Sequence, residues 1–300
     1  MRLPQVPVPV MRAAVRALVR PVLHPRFPVR VQRRWLELVT GPTPLPPDVD
    51  VRTGTLGGRP AEVLVPRDGV PGRRVLHLHG GGFTAGSPVT HRALAAHLAA
   101  ATGATVHLLD YRLAPEHPYP TALDDVRAAW AELLDRGADP AATALTGDSA
   151  GGWLALTTAL RLRDAGEPLP AVLGLISPWL DLTGASWPDR TDAMLQPVWL
   201  HRCAAAFAAP PEAAPLAADL AGLPPMVVQV GSEEILLPDA VALARVARAA
   251  RVAVDLRRLD GLWHVAHASA GMVAEATAAV RDLGAALSAR LTTRRPQPTT

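Results

Sequence analysis

The stretch Ala144-Leu145-Thr146-Gly147-Asp148-Ser149-Ala150-Gly151-Gly152-Trp153-Leu154 joins an apolar run that reads as a strand to one that reads as a helix. A chain that turns from strand to helix at one residue forces strained backbone angles on it. Neighbours without side chains then let the two backbones approach. Gly147 and Gly151 supply that room, and the G-x-S-x-G spacing presents the Ser149 hydroxyl as a nucleophile. The rival reading is a glycine-rich turn opening a helix, with Asp148 and Ser149 as capping residues.

A reactive serine needs a base, a group to orient that base, and donors for the oxyanion. In open α/β sheets such groups collect at the carboxyl ends of strands. Three stretches stand directly after apolar strands: His79-Gly80-Gly81-Gly82, Glu233-Glu234 and Gly261-Leu262-Trp263-His264. In the first, the N–H groups of Gly81 and Gly82 can turn toward a developing alkoxide with no side chain in the way, joined by the N–H of Ala150. A phosphate loop is the rival there, opposed by the lack of any lysine and by glycine spacing that fits no nucleotide fingerprint. His79 is expected to anchor the loop, and His77 to face the other side of the strand as packing. His264 is the expected base, against the alternatives of a surface-loop histidine there and of His267 as base. The acid is open among Glu233, Glu234 and Asp239, the last standing after Pro238 where a helix dipole favours a carboxylate in any protein.

The elements that must position these residues alternate. Strands are expected near residues 51–56, 60–65, 74–79, 105–109, 143–146, 171–176, 226–230 and 252–257. Helices are expected near 91–101, 122–134, 150–163, 198–208, 239–250 and 269–291. That rhythm is an α/β fold, a mostly parallel, doubly wound, eight-stranded sheet. Residues 1–38 read as helix broken by prolines, and Gly41 to Pro47 as a stiff linker, which sets 1–45 apart from a catalytic domain over 46–300. The rhythm stops at about 184–225, read as an insertion over the sheet's carboxyl edge, and the tail after Arg294 is expected to be disordered.

Composition narrows the partners. Net charge is +3 and pI about 9.9 because every basic residue besides histidine is arginine. The arginines are spread along the chain and aromatics make up only 4%, which speaks against a nucleic-acid surface. Cys203 is the only cysteine, so neither an intrachain disulfide nor a thiolate metal cluster can form. No apolar run before Leu23 is long enough for a signal peptide or membrane span, so a cytoplasmic protein without integral membrane association is expected. Arg12, Arg16 and Arg20 would line one face of a first helix and Val15, Leu18, Val19 and Val22 another, set over the core or the mouth of the site, with membrane-surface attachment as the alternative. No metal or cofactor is required, the expected partner is a small-molecule ester, and a homodimer stays open.

Taken together, the motifs resemble a family. His79-Gly80-Gly81-Gly82-Phe83, the run Asp110 to Pro120, Gly147-Asp148-Ser149-Ala150-Gly151-Gly152, Ser177-Pro178-Trp179-Leu180-Asp181-Leu182-Thr183 and the loop Gly261 to His264 are similar, in this order, to the bacterial hormone-sensitive-lipase-like esterases of the α/β-hydrolases. The resemblance implies an α/β-hydrolase fold whose helical cap is built from the first segment and the 184–225 insertion. It implies Tyr111 and Glu116 as hydrogen-bonding supports of the oxyanion loop. The chain has Glu234-Ile235-Leu236 where many members carry Asp-Pro-Leu, and that alignment gives Glu234 the orienting role. The expected activity is hydrolysis of short- to medium-chain carboxylic esters by Ser149, His264 and Glu234. Another acyl substrate, such as an aryl formamide or a biosynthetic ester or lactone, and a non-catalytic receptor on the same scaffold are the other readings.

Overall fold

The computed structural model describes residues 5–188 and 192–292, so the expectation for the tail after Arg294 lies outside the described residues. Eight strands form one sheet: β1 (Val49–Leu56), β2 (Arg59–Pro66), β3 (Arg74–Leu78), β4 (Thr105–Leu109), β5 (Thr143–Asp148), β6 (Val172–Ile176), β7 (Met226–Gly231) and β8 (Val254–Leu259), in the order β1-β2-β4-β3-β5-β6-β7-β8. Pairs β1–β2 and β2–β4 are antiparallel and the remaining pairs are parallel.

The central strands read as unbroken apolar runs because both their faces are covered. On one face Leu76, Leu78, Leu145, Leu173, Leu175 and Val228 meet helices α4 (Thr121–Asp135), α5 (Ala150–Asp164) and α7 (Leu237–Ala249). On the other face Val75, Ala144, Val172 and Val227 meet α3 (Pro88–Thr102) and α8 (Ala274–Ser288). Odd and even positions of these central strands thus feed two separate cores, as the two-residue strand period requires. The β1–β2 turn falls on Gly57 and Gly58, whose φ values of 61° and 71° fit the tight hairpin that glycine permits.

Helix α8 differs from expectation. A 3₁₀ turn covers Ala266–Ser269 and Gly271 takes φ 85°, so the helix starts only at Ala274. The glycine was the sign that the helical period breaks there.

Helices α1 (Val8–Leu18) and α2 (Val29–Thr40) are tied to α6 (Pro197–Phe207) from the 184–225 stretch. Trp199 Nε1 donates to Gln32 Oε1 at 2.8 Å, and Gln196 Nε2 donates to the carbonyls of Arg20 and Leu23 at 2.7 and 3.0 Å. Of the four residues expected on one face, Val15 of α1 and Val19 just after the helix are buried, Val22 is half-buried and Leu18 is exposed. Among the described residues no helix is long and apolar enough to cross a membrane.

Candidate active site

Ser149 stands between β5 and α5 at φ 51° and ψ −117°, a conformation that a non-glycine residue holds only when its surroundings impose it. The surroundings are tight. A Cβ on Gly147 would lie 2.2 Å from the Gly151 carbonyl oxygen, and one on Gly151 would lie 2.0 Å from that of Leu78. The Ser149 N–H is fixed by the Ile176 carbonyl at 2.9 Å.

His264 follows β8 and Glu234 follows β7, so neighbouring parallel strands deliver both to one edge of the sheet. His264 Nδ1 lies 2.9 Å from Glu234 Oε2, with both side chains buried. The other carboxylate oxygen, Oε1, accepts from Ser177 Oγ and from the Gly231 N–H, each at 2.6 Å. Burial alone would lower the His264 pKa. The hydrogen bond and charge of Glu234, with the charges of Asp192 and Asp148, outweigh it and raise the pKa above its ordinary 6.5.

The two other acids considered are elsewhere. Glu233 is exposed. Asp239 is buried in the first turn of α7, where it accepts from the N–H groups of Leu180 and Asp181 at 2.7 and 2.8 Å and from Ser186 Oγ at 3.1 Å. Its burial pushes the carboxyl up to about 6 in spite of these donors. It braces the loop after β6, a task that a helix-dipole argument does not foresee. His267 is held by Gln229 Oε1 at 2.8 Å and lowered to about 4 by burial.

The glycine loop is held from several sides. Gly81 and Gly82 take φ 118° and 62°, and neither N–H donates to a backbone acceptor among the described residues. Tyr111 OH donates to the His79 carbonyl at 2.6 Å, and the Ala114 N–H to that of Phe83 at 2.9 Å. His79 is fully buried, stacked on Tyr111 at 4.3 Å, and lowered to about 3 by burial. The support expected of Glu116 is indirect. Its carboxylate pairs with Arg33 of α2 at 2.7 Å, and Arg33 donates to the carbonyls of Thr84 and Ala114 at 2.8 and 2.9 Å.

His77 departs from expectation. It is not mere packing on the far side: its Nδ1 is 2.9 Å from Thr146 Oγ1 and its Nε2 is 3.4 Å from Asp148 Oδ1. Residues 77 and 79 share parity, so a two-residue period places them on the same side of the strand, and β3 ends between them at Leu78. Burial would raise the Asp148 carboxyl, but His91 and His77 hold it well below the usual carboxylate range. Sequence reasoning also missed Ser177 and Asp192. The latter is buried and accepts from the N–H of Ile235 at 3.0 Å and of Met194 at 2.7 Å, which ties the acid loop to the stretch before α6. Ser177 did carry a signal, since it stands directly after an apolar strand.

Ser149, His264 and Gly81 open on one cavity of about 90 Å³, walled by apolar groups that include Leu23, Leu195 and Trp199. A strained serine, a carboxylate-bound imidazole and a glycine loop with unused backbone donors stand around one apolar cavity, an arrangement with the parts that acyl transfer needs.

Comparison with known proteins places the chain in a family. The family described as alpha/beta hydrolase fold matches residues 75–268. An acetyl-hydrolase of Streptomyces hygroscopicus is 43% identical over 225 residues, covering 72% of this chain and 75% of that protein. An esterase of Acinetobacter venetianus is 38% identical over 231 residues, covering 74% and 76%. A crystal structure of an esterase from the bacterial hormone-sensitive lipase family superposes with a TM-score of 0.88 at 37% identity, over 95% of this chain and 98% of that one. The chain belongs to the α/β-hydrolase family. Within it, the chain is a carboxylic ester hydrolase of the bacterial hormone-sensitive-lipase-like branch.

Proposed function

We propose that the protein hydrolyses short- to medium-chain carboxylic esters through an acyl-enzyme on Ser149. His264 Nε2 takes the hydroxyl proton as Oγ attacks the carbonyl carbon, then returns it to the leaving alcohol. Water repeats the sequence and frees the acid. Glu234 keeps the Nδ1 proton on the ring and stabilises the imidazolium that forms. The N–H groups of Gly81, Gly82 and Ala150 receive the oxyanion, each contributing about 3 kcal/mol.

One observation carries this reading. The carboxylate beside His264 Nδ1 has its second oxygen fixed by two further donors, which holds it as a rigid acceptor for that ring nitrogen. A binding-only protein has no need of such a dyad beside a strained serine. The cavity volume of about 90 Å³ favours short acyl groups, because a dry cavity of about 150 Å³ holds a single benzene. The 1–45 segment and the 184–225 insertion act as the cap over this cavity. The buried, solitary Cys203 suits a reducing compartment such as the cytoplasm. Hydrolysis of p-nitrophenyl esters of graded length by wild type and by Ser149→Ala tests the reading. Activity that survives in the variant overturns it.

A further inference from the structure

Helices α1 and α2 present an outer face that their packing does not use. Opposite buried Val15, α1 shows Val10, Ala13 and Ala17, with Leu18 at the edge; of its two polar residues Arg16 is exposed, while Arg12 is half-buried and donates to the Gly261 carbonyl. On α2 the exposed residues are Arg30, Val31, Arg34 and Leu38. Val10, Leu18, Val31 and Leu38 are 57%, 49%, 45% and 67% exposed, which no core requirement explains. The two helices meet at the Leu18 end of α1, where Trp35 Nε1 of α2 donates to the Leu18 carbonyl at 2.7 Å.

The charge is of one sign. Between Gln5 and Leu45 every exposed charged residue is an arginine: Arg16, Arg26, Arg30 and Arg34. The single acid there, Glu37, is half-buried and accepts from Ser87 Oγ at 2.7 Å. A helix face made for water alone carries charges of both signs and few large apolar groups. Large apolar side chains interleaved with arginine suit a layer whose surface is anionic and whose depth is apolar.

The position of the face matters for the site. A second cavity, about 120 Å³, lies where α1 and the end of α2 meet Met194 and the segment from Ala268 to Met272, and is bordered by Leu18. It shares Val19, Thr40, Met194 and Ala268 with the cavity that holds Ser149. The two cavities thus share one wall, and those side chains stand between the edge of the basic face and the Ser149 cavity.

We propose that this face docks on an anionic lipid surface and that the enzyme takes its ester from that layer by way of the second cavity. The delivery half rests on the proposed ester hydrolysis at Ser149; the docking half does not. The test is cosedimentation with phosphatidylglycerol-containing vesicles and with neutral phosphatidylcholine vesicles, alongside hydrolysis of dissolved p-nitrophenyl butyrate. Wild type should pellet with the anionic vesicles and be released at about 1 M salt, where the Debye length is about 3 Å. Each surface arginine is worth about fivefold, so Arg16→Gln/Arg30→Gln/Arg34→Gln should bind about a hundredfold more weakly. Leu38→Asp should also weaken binding, and both variants should hydrolyse the dissolved ester as wild type does. Wild type that stays in the supernatant, equal binding to neutral vesicles, or unchanged binding of the triple variant overturns the docking proposal. A dead enzyme that still pellets overturns the esterase reading instead.

Discussion

Replacing Glu234 by glutamine changes one atom in a buried site, and the hydrogen bonds around that atom dictate the effect. Oxygen Oε1 accepts from Ser177 Oγ and the Gly231 N–H at 2.6 Å each, so the carbonyl oxygen of a glutamine is drawn to that position. The amide NH₂ then faces His264 Nδ1, where the carboxylate stood at 2.9 Å. An amide can only donate there, so Nδ1 becomes the acceptor and the ring proton moves to Nε2. An imidazole protonated at Nε2 cannot take the serine proton. The expected loss in kcat is therefore near the upper end for a mis-set tautomer, about 10⁴-fold. Because Glu234 also raises the His264 pKa, residual activity should have its acid limb at lower pH than wild type. The assay is kcat/KM against p-nitrophenyl butyrate across pH, with Asp239→Asn and Glu233→Gln as companions that keep most activity. Near-normal turnover in Glu234→Gln, or a dead Asp239→Asn, refutes the assignment of the acid.

Further outcomes rest on the same geometry. In wild type, kcat/KM should rise with pH as His264 loses its proton. With that pKa raised above 6.5, the midpoint should lie above 6.5, and a flat profile from about pH 5 to about pH 8 would point to another base. Asp239 has its folded pKa raised from 3.8 to about 6, so the stability it contributes is fully present below 3.8 and lost as pH climbs through 6. The melting temperature of Asp239→Asn should therefore gain on wild type across that window, by at most about 3 kcal/mol in stability terms. A Cβ at Gly81 would stand 2.2 Å from the Ala85 carbonyl oxygen, so Gly81→Ala should disturb the donor loop and cost about 10²-fold or more in kcat. Butyrate or hexanoate esters should be turned over faster than palmitate, because each methylene gains about 0.8 kcal/mol only while the cavity can hold it. A preference for palmitate would contradict the small cavity.

Much of the fold is legible in the sequence. The alternation of strand, glycine-rich turn and helix specifies the doubly wound sheet, and the eight strands fall within a few residues of the expected positions. Ser149 and His264 stand out because each follows a strand, whereas strand position leaves the acid open among Glu233, Glu234 and Asp239, and only the family resemblance points to Glu234. What sequence hides is the side-chain connection between distant segments. Nothing in the spacing of Ser177, Asp192 or Arg33 says which buried acceptor or carbonyl each will meet, since those partners depend on how loops from different strands pack. His77 failed for a simpler reason, a face assigned against the two-residue period. The helix-dipole reading of Asp239 accounts for a carboxylate at that position, but not for its reach to the backbone of Leu180 and Asp181.

The most direct test of the central claim is the site of covalent capture by a fluorophosphonate, which reacts only with an activated hydroxyl. Intact-protein and peptide mass analysis of the wild type should show one adduct per chain, carried on Ser149, with parallel loss of esterase activity. Ser149→Ala should take up no label. Labelling that persists in that variant, or that falls on another residue of the wild type, would contradict the account.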